Sequence, residues 1–259
     1  MLAQGHHPLL LVRFTEREIF ARFAGSTLGL FWALLGPLLL LAIYSFVFGQ
    51  LFKQRIGDLG TDSYTLFVAI ALWPWMMFSD AVLRALQCIQ ANAPLVKKIA
   101  FPHLLLVLAA INGVFLVHLT GYVAVLAVLF LAGTQVQISG APVAMIAIAT
   151  LYLFALGVGA ILAALQTLLR DVEQATAPAM MMLQYLTPVL YPLTLIPEDY
   201  RHWLTWNPLV YVMQRLRDGL LLGGGPQLGD LWMLLAGMLV ALLGILFFTR
   251  LSPFFEDFL

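Results

Sequence analysis

Few side chains in this chain have a type and spacing that could do chemistry. Asp80 and Arg84 stand four residues apart inside a long apolar run. On a helix they share one face and can pair. A carboxylate at membrane depth is what a proton-coupled carrier needs. Asp80 is the candidate, and Arg84 within reach neutralises it; the pair also reads as two side chains snorkelling to a nearby interface. His103 and His118 are isolated among apolar residues, which suits packing rather than catalysis, and His6-His7 lie near the N-terminus. The sequence has no His-Glu-x-x-His zinc motif, no Gly-x-Ser-x-Gly elbow and no Gly-Lys pair to build a phosphate loop. Any nucleotide-driven work must therefore come from another polypeptide. No charged ring or backbone filter of an ion channel stands out.

Aromatic rings are plentiful instead. Phe31, Trp32, Tyr44, Phe46 and Phe48 fall in one apolar run, and Trp73, Trp75 and Phe78 in the next. Tyr185 and Tyr191 fall in a later run, with Trp203 and Trp206 in a polar segment beyond it. Such rings serve as packing or as interface anchors. They can also touch sugar C–H faces and hydroxyls without binding tightly, as a path for a long polar polymer requires. The remaining candidates are the adjacent cations Lys97 and Lys98, in Asn92-Ala-Pro-Leu-Val-Lys-Lys-Ile-Ala-Phe-Pro102. Lys and Arg beside span ends resist translocation, so this loop reads as cytoplasmic. A short surface helix there would suit contact with a soluble partner.

The elements that must hold these residues are membrane helices. The chain is 62% hydrophobic and 10% charged, against roughly 45–50% and about 25% in soluble domains. One membrane domain over 1–259 follows, with no soluble domain. Zero net charge argues against a nucleic-acid partner, and the single cysteine, Cys88, excludes an internal disulfide. Residues 8–25 predict an amphipathic interface helix, with Val12, Ile19, Phe20 and Phe23 on one side and Arg13, Arg17, Glu18 and Arg22 on the other. Those charges also argue against a cleavable signal. Spans are predicted at 28–52, 64–90, 103–132, 142–169, 174–194 and 231–249, each long enough for a crossing, which needs ~20 residues. The long uncharged stretch is divided at 133–142 by turn formers. A polar loop at 53–63 lies on the far side. Residues 194–222 hold apolar pieces too short to cross, which predict two short helices dipping into or lying on the outer leaflet. Six spans place both termini on the cytoplasmic side. Arg13, Arg17, Arg22, Lys97, Lys98, Arg170 and Arg250 are then inside, and Lys53, Arg55, Arg201, Arg215 and Arg217 outside.

Several stretches, in order, resemble the permease subunit of type-2 ABC exporters for polysaccharides, the O-antigen, capsule and teichoic acid group, and most of all its O-antigen permeases. They are Arg17-Glu-Ile-Phe-Ala-Arg22 running into Leu28-Gly-Leu-Phe-Trp-Ala-Leu-Leu-Gly-Pro37, Tyr44-Ser-Phe-Val-Phe-Gly49, the 92–102 stretch, Arg170-Asp171, Pro188-Val-Leu-Tyr-Pro192, Ile196-Pro197, and Trp206-Asn-Pro-Leu209 followed by Arg215. Phe101-Pro-His103 departs from the pattern, where a charged residue often follows the proline. The resemblance covers nearly the whole chain. It implies an all-α fold of six spans and a homodimer bound to two copies of a separate cytoplasmic ABC ATPase, which would carry ATP and Mg. It implies a lipid-linked glycan moved outward across the bacterial inner membrane, through a channel between subunits. Coupling to the ATPase would fall to Asn92, Ala93, Lys97, Lys98, Arg13, Arg17 and Arg22, and the outer gate to Pro192, Pro197, Trp203, Trp206, Asn207 and Arg215. The candidate lining is Phe31, Trp32, Tyr44, Phe48, Trp73, Trp75, Tyr185 and Tyr191. The alternatives are a capsular polysaccharide or teichoic acid exporter permease, a small-lipid or drug exporter of the same superfamily and, from a different class, a membrane enzyme acting on lipid-linked sugars. The enzyme would need carboxylates or histidines converging on a pocket, and few are available.

Overall fold

The computed structural model describes residues 7–22, 24–29, 31–51 and 64–259. Phe23, Phe52 and the predicted loop at 53–63 lie outside these. Among the described residues the regular structure is all helical. Among the described residues five helices are long and apolar enough to cross a membrane: Phe31–Leu51, Tyr64–Ala91, Leu104–Leu131, Ile138–Leu168 and Leu228–Phe258.

The centre is α3 (Tyr64–Ala91), whose side chains are buried on nearly every face. It follows α1 (His7–Arg22) and α2 (Phe31–Tyr44, continued as a π-helical stretch Ser45–Leu51). Around α3 stand α5 (Leu104–Leu131), reached through the short α4 (Ala93–Lys98), and α6 (Ala141–Leu168). α10 (Leu228–Leu251) lies along α6, where an ideal Cβ on Gly157 would sit 2.3 Å from the Val240 carbonyl oxygen. Small residues let membrane helices approach this closely, and dispersion then replaces the hydrophobic drive that lipid removes. α9 (Pro208–Leu222) crosses the start of α6 in the same way, with a Cβ on Gly140 falling 1.9 Å from the Gly219 carbonyl oxygen. α8 (Glu198–Leu204) precedes α9, and α11 (Phe255–Phe258) closes the chain.

The two terminal helices meet at the α4 end of the bundle. The rings run Phe14–Phe101 (5.6 Å), Phe101–His103 (5.3 Å), His103–Phe255 (6.2 Å) and Phe255–Phe248 (5.2 Å). Burial lowers the pKa of His103 from the ordinary imidazole value, against the opposing pull of Glu256 nearby. The start of α3, the 133–140 turn and α9 lie at the opposite end.

The predicted 174–194 span is shorter than expected. Its helix, α7, covers Val172–Leu186, about 22 Å at a rise of ~1.5 Å per residue, against ~30 Å of hydrocarbon. The cause is Pro188. Thr187, the residue before it, is extended (φ −106, ψ 123), because a following proline disfavours the helical region. The chain nevertheless runs end to end. Gln87 bonds Glu173 at the α4 end, and Tyr64 bonds the Leu190 carbonyl at the other. Those two α3 residues are roughly 35 Å apart along the helix.

Candidate functional site

The site is built from the α4 end upward. Pro94 sits in the first turn of α4, where its missing N–H costs nothing, and Val96 is the buried anchor. Lys97 and Lys98 occupy the last turn, exposed, where the carbonyl end of the helix favours cations. Asn92 starts the turn: its amide donates to the Cys88 carbonyl (2.8 Å), and its side-chain oxygen accepts from Arg17. Arg17 also lies over the Phe14 ring at 5.3 Å. Ala93, half-buried, is the first residue of α4. Of the predicted coupling residues, Arg17, Asn92, Ala93, Lys97 and Lys98 therefore stand together. Arg13 does not join them; it pairs with Glu16 at 2.9 Å on the exposed side of α1.

Arg22 takes a different place, and so do Asp80 and Arg84. The pairing expected between Asp80 and Arg84 is replaced by two ion pairs to α1. Arg84 donates to Glu18 at 2.6 and 2.8 Å, and Arg22 donates to Asp80 at 2.8 Å. Asp80 also meets His118 Nε2 at 3.0 Å. The predicted orientation of α1 changes accordingly. Val12 and Phe20 of its apolar stripe are exposed, whereas Thr15 is buried and Glu18 nearly so. Charges turn inward because α3 supplies an opposite charge for each. A cavity of about 340 Å³ lies between α1, α3, α5 and α7, with Glu18, Arg22, Asp80, Arg84, Gln87 and Glu173 among its walls. Beside it the Glu173 N–H donates to Gln166 (2.8 Å), and Gln90 donates to the Gln166 carbonyl (3.0 Å).

The candidate lining divides. Phe31, Trp32 and Tyr185 are exposed, and Tyr44, Phe48 and Tyr191 are half-buried. Trp73 and Trp75 are closed inside the bundle. Trp73 donates from Nε1 to the His118 carbonyl (3.0 Å), and Trp75 lies against Phe78. On α3, covered all round, these two rings are packing rather than lining.

At the opposite end Trp203 and Trp206 are exposed, 69% and 84%. Pro192 is buried and Pro197 precedes α8. Asn207 caps α9, its side-chain oxygen accepting from the Leu209 N–H (3.0 Å) while its amide donates to Thr187 (2.9 Å). Arg215 is not a surface group. It is buried and forks onto Asp230 (2.7 and 3.0 Å), also reaching Asp218 (3.1 Å) and the Gly225 carbonyl (2.8 Å). Tyr211 and the Gln227 N–H complete the shell of Asp230. Sequence reasoning assigned no role to Glu18, Asp230 and Arg217. The first two carry a usable signal: acid then base four apart at 18/22 and at 80/84, and an aspartate one turn into a span facing an arginine. Among the described residues no three His, Cys, Asp or Glu side chains gather as a metal site.

The family model described as ABC-2 type transporter matches residues 10–221, which takes in everything from α1 to α9. The chain belongs to the ABC-2 type transporter family. Among its curated relatives, the O-antigen export system permease protein RfbA of Klebsiella pneumoniae is 30% identical over 254 residues, spanning 96% of this chain and 95% of its own length. An RfbA of Myxococcus xanthus is 28% identical over 212 residues (79% and 77%). The polysialic acid transport protein KpsM of Escherichia coli is 25% identical over 207 residues (80% and 79%). Within this ABC-2 chain the family match includes both the α4 tip and residues 187–221, and so joins the two polar ends.

Proposed function

We propose that this chain is the membrane subunit of an ATP-driven exporter of lipid-linked polysaccharide, of O-antigen type, working from the cytoplasmic face of the inner membrane. The observation that carries the reading is the match along 96% of the chain to a relative named an O-antigen export permease. The match to KpsM favours capsular polysaccharide as the second reading. The functional unit is a homodimer with two copies of a cytoplasmic ATPase, which holds the ATP and Mg.

Six crossings support the topology. Five apolar helices alone would leave the terminal helices at opposite ends, yet both lie by α4. α7 with its following turn supplies the sixth. The positive charge of Lys97 and Lys98 supports a cytoplasmic side for α4 and, with it, for both termini. The ATPase, closing on ATP, pushes on α4 and on α1. Arg17 and Asn92 pass the push between them, and the ion pairs at 18–84 and 22–80 carry it into α3. The exposed rings of α2 and α7 face the glycan, and α8 with α9 forms the outer gate.

The test is Lys97→Glu with Lys98→Glu, assayed with the cognate ATPase. Glycan export falls and ATP hydrolysis uncouples from it, while the protein stays in the membrane. Normal export in the double variant rejects the coupling role.

A further inference from the structure

Arg217 is 7% exposed, and among the described residues no carboxylate lies within ion-pairing distance of it. Its guanidinium is spent on backbone. Nη1 donates to the Pro188 carbonyl and Nη2 to that of Val189, both at 2.6 Å, and Nε reaches the Phe67 carbonyl at 3.4 Å. The plane lies over the Phe67 ring at 3.7 Å. Arg215, two residues earlier, has carboxylates for partners. The contrast is instructive, because a buried cation without a counter-charge is expensive. An ionisable group held at such a place in a membrane protein points to function.

The carbonyls it holds are free for a reason. Pro188 ends α7, so the 187–190 turn has no helical donors for them, and buried carbonyls must find partners. Each residue of the turn is tied by a side chain from α3 or α9: Thr187 by Asn207, Pro188 and Val189 by Arg217, Leu190 by Tyr64. This is where α7, reaching up from the α4 end, is fixed at the opposite end. The neighbouring face of α7, with Met181, Met182 and Tyr185, is uncovered.

We propose that Arg217 is a latch on the outer end of the substrate path: its fork holds the 188–189 turn shut against α3 and α9, and export requires the fork to let go. Arg217 is thus a positioning residue, and the idea rests on the polysaccharide-export reading. Release exposes two carbonyl acceptors, and the hydroxyls of a passing glycan are donors that can replace the guanidinium one for one. A strand rich in hydroxyls thereby lowers the cost of the open state, and an apolar substrate does not.

The test uses the full chain with its ATPase in membrane vesicles, with Cys88→Ala removing the native thiol and Val189→Cys reporting on the turn. With Arg217 intact, a membrane-impermeant maleimide labels position 189 slowly without ATP and faster during turnover. Arg217→Gln raises the resting rate about tenfold or more, the scale of a lost charged hydrogen bond. Arg217→Lys, a point charge that cannot fork, falls between the two. Export drops in both while ATP hydrolysis continues. Two results overturn the latch: labelling per folded protein unchanged in Arg217→Gln, or full wild-type behaviour in Arg217→Lys. If labelling shifts as stated but the parent complex exports no glycan, the latch stands and the functional reading fails.

Discussion

The two ends of the bundle use charge in opposite ways. At the α4 end the ion pairs join different helices and are partly open to solvent; the side chains of Arg22, Asp80 and Arg84 are 34%, 35% and 37% exposed. A cavity lies among them. At the opposite end Arg215, Arg217 and Asp230 are buried and bind loops and turns to the helices beside them. Pairs partly open to solvent are weaker, more exchangeable and screened by salt, although Glu18 itself is nearly buried. Buried forks are all-or-none, because removing one partner strands the other. The proposed export cycle would use this difference: compliance where the ATPase pushes, and a discrete closed state where the glycan leaves.

The comparison breaks first at Asp230. Asp230→Ala takes the buried carboxylate from Arg215 and leaves it only the more exposed Asp218, which should cost about 3 kcal/mol. The check is the folded fraction of the detergent-solubilised protein on heating. Arg215→Met with Asp230→Leu should be milder than either single change. Singles that cost no more than changes at the α4 end would erase the contrast.

An intermediate effect is expected at the α1–α3 contact. Glu18→Arg places two cations together and should reduce export, and adding Arg84→Glu should restore most of it. The coupling read from the four-variant cycle should be about 1 kcal/mol and fall as salt rises. Equal export across all four variants would mean that α1 is held by other contacts. The smallest effect belongs to Arg13, exposed and paired within its own helix. Arg13→Ala should shift stability by less than ~0.5 kcal/mol and leave coupling intact. A larger loss of ATP-coupled export would extend the coupling surface to the outer side of α1.

Much of this architecture is legible in the chain because lipid imposes a simple rule: apolar runs about as long as a bilayer, bounded by charge. α3, α5 and α6 end within a residue of their expected bounds. The 174–194 run misled because its apolar character continues past Pro188, whereas the helix cannot. The orientation of α1 was illegible for a different reason. Periodicity assigns charges to water, and only the fold reveals that Asp80 and Arg84 wait for Arg22 and Glu18. Aromatic type likewise says nothing of direction, so Trp73 and Trp75 looked like Phe31 and Trp32. The exposure of Lys97 and Lys98 was legible because it is set locally: two cations on a short helical turn between spans.

The central claim is that this chain supplies a route and its partner supplies the power. It is tested most directly by reconstituting the purified chain in vesicles, with and without the cognate ATPase, and following ATP hydrolysis and glycan transfer together. The account predicts neither activity from the chain alone and ATP-dependent transfer from the complex. Hydrolysis by the chain alone, or transfer that ignores ATP, would contradict it.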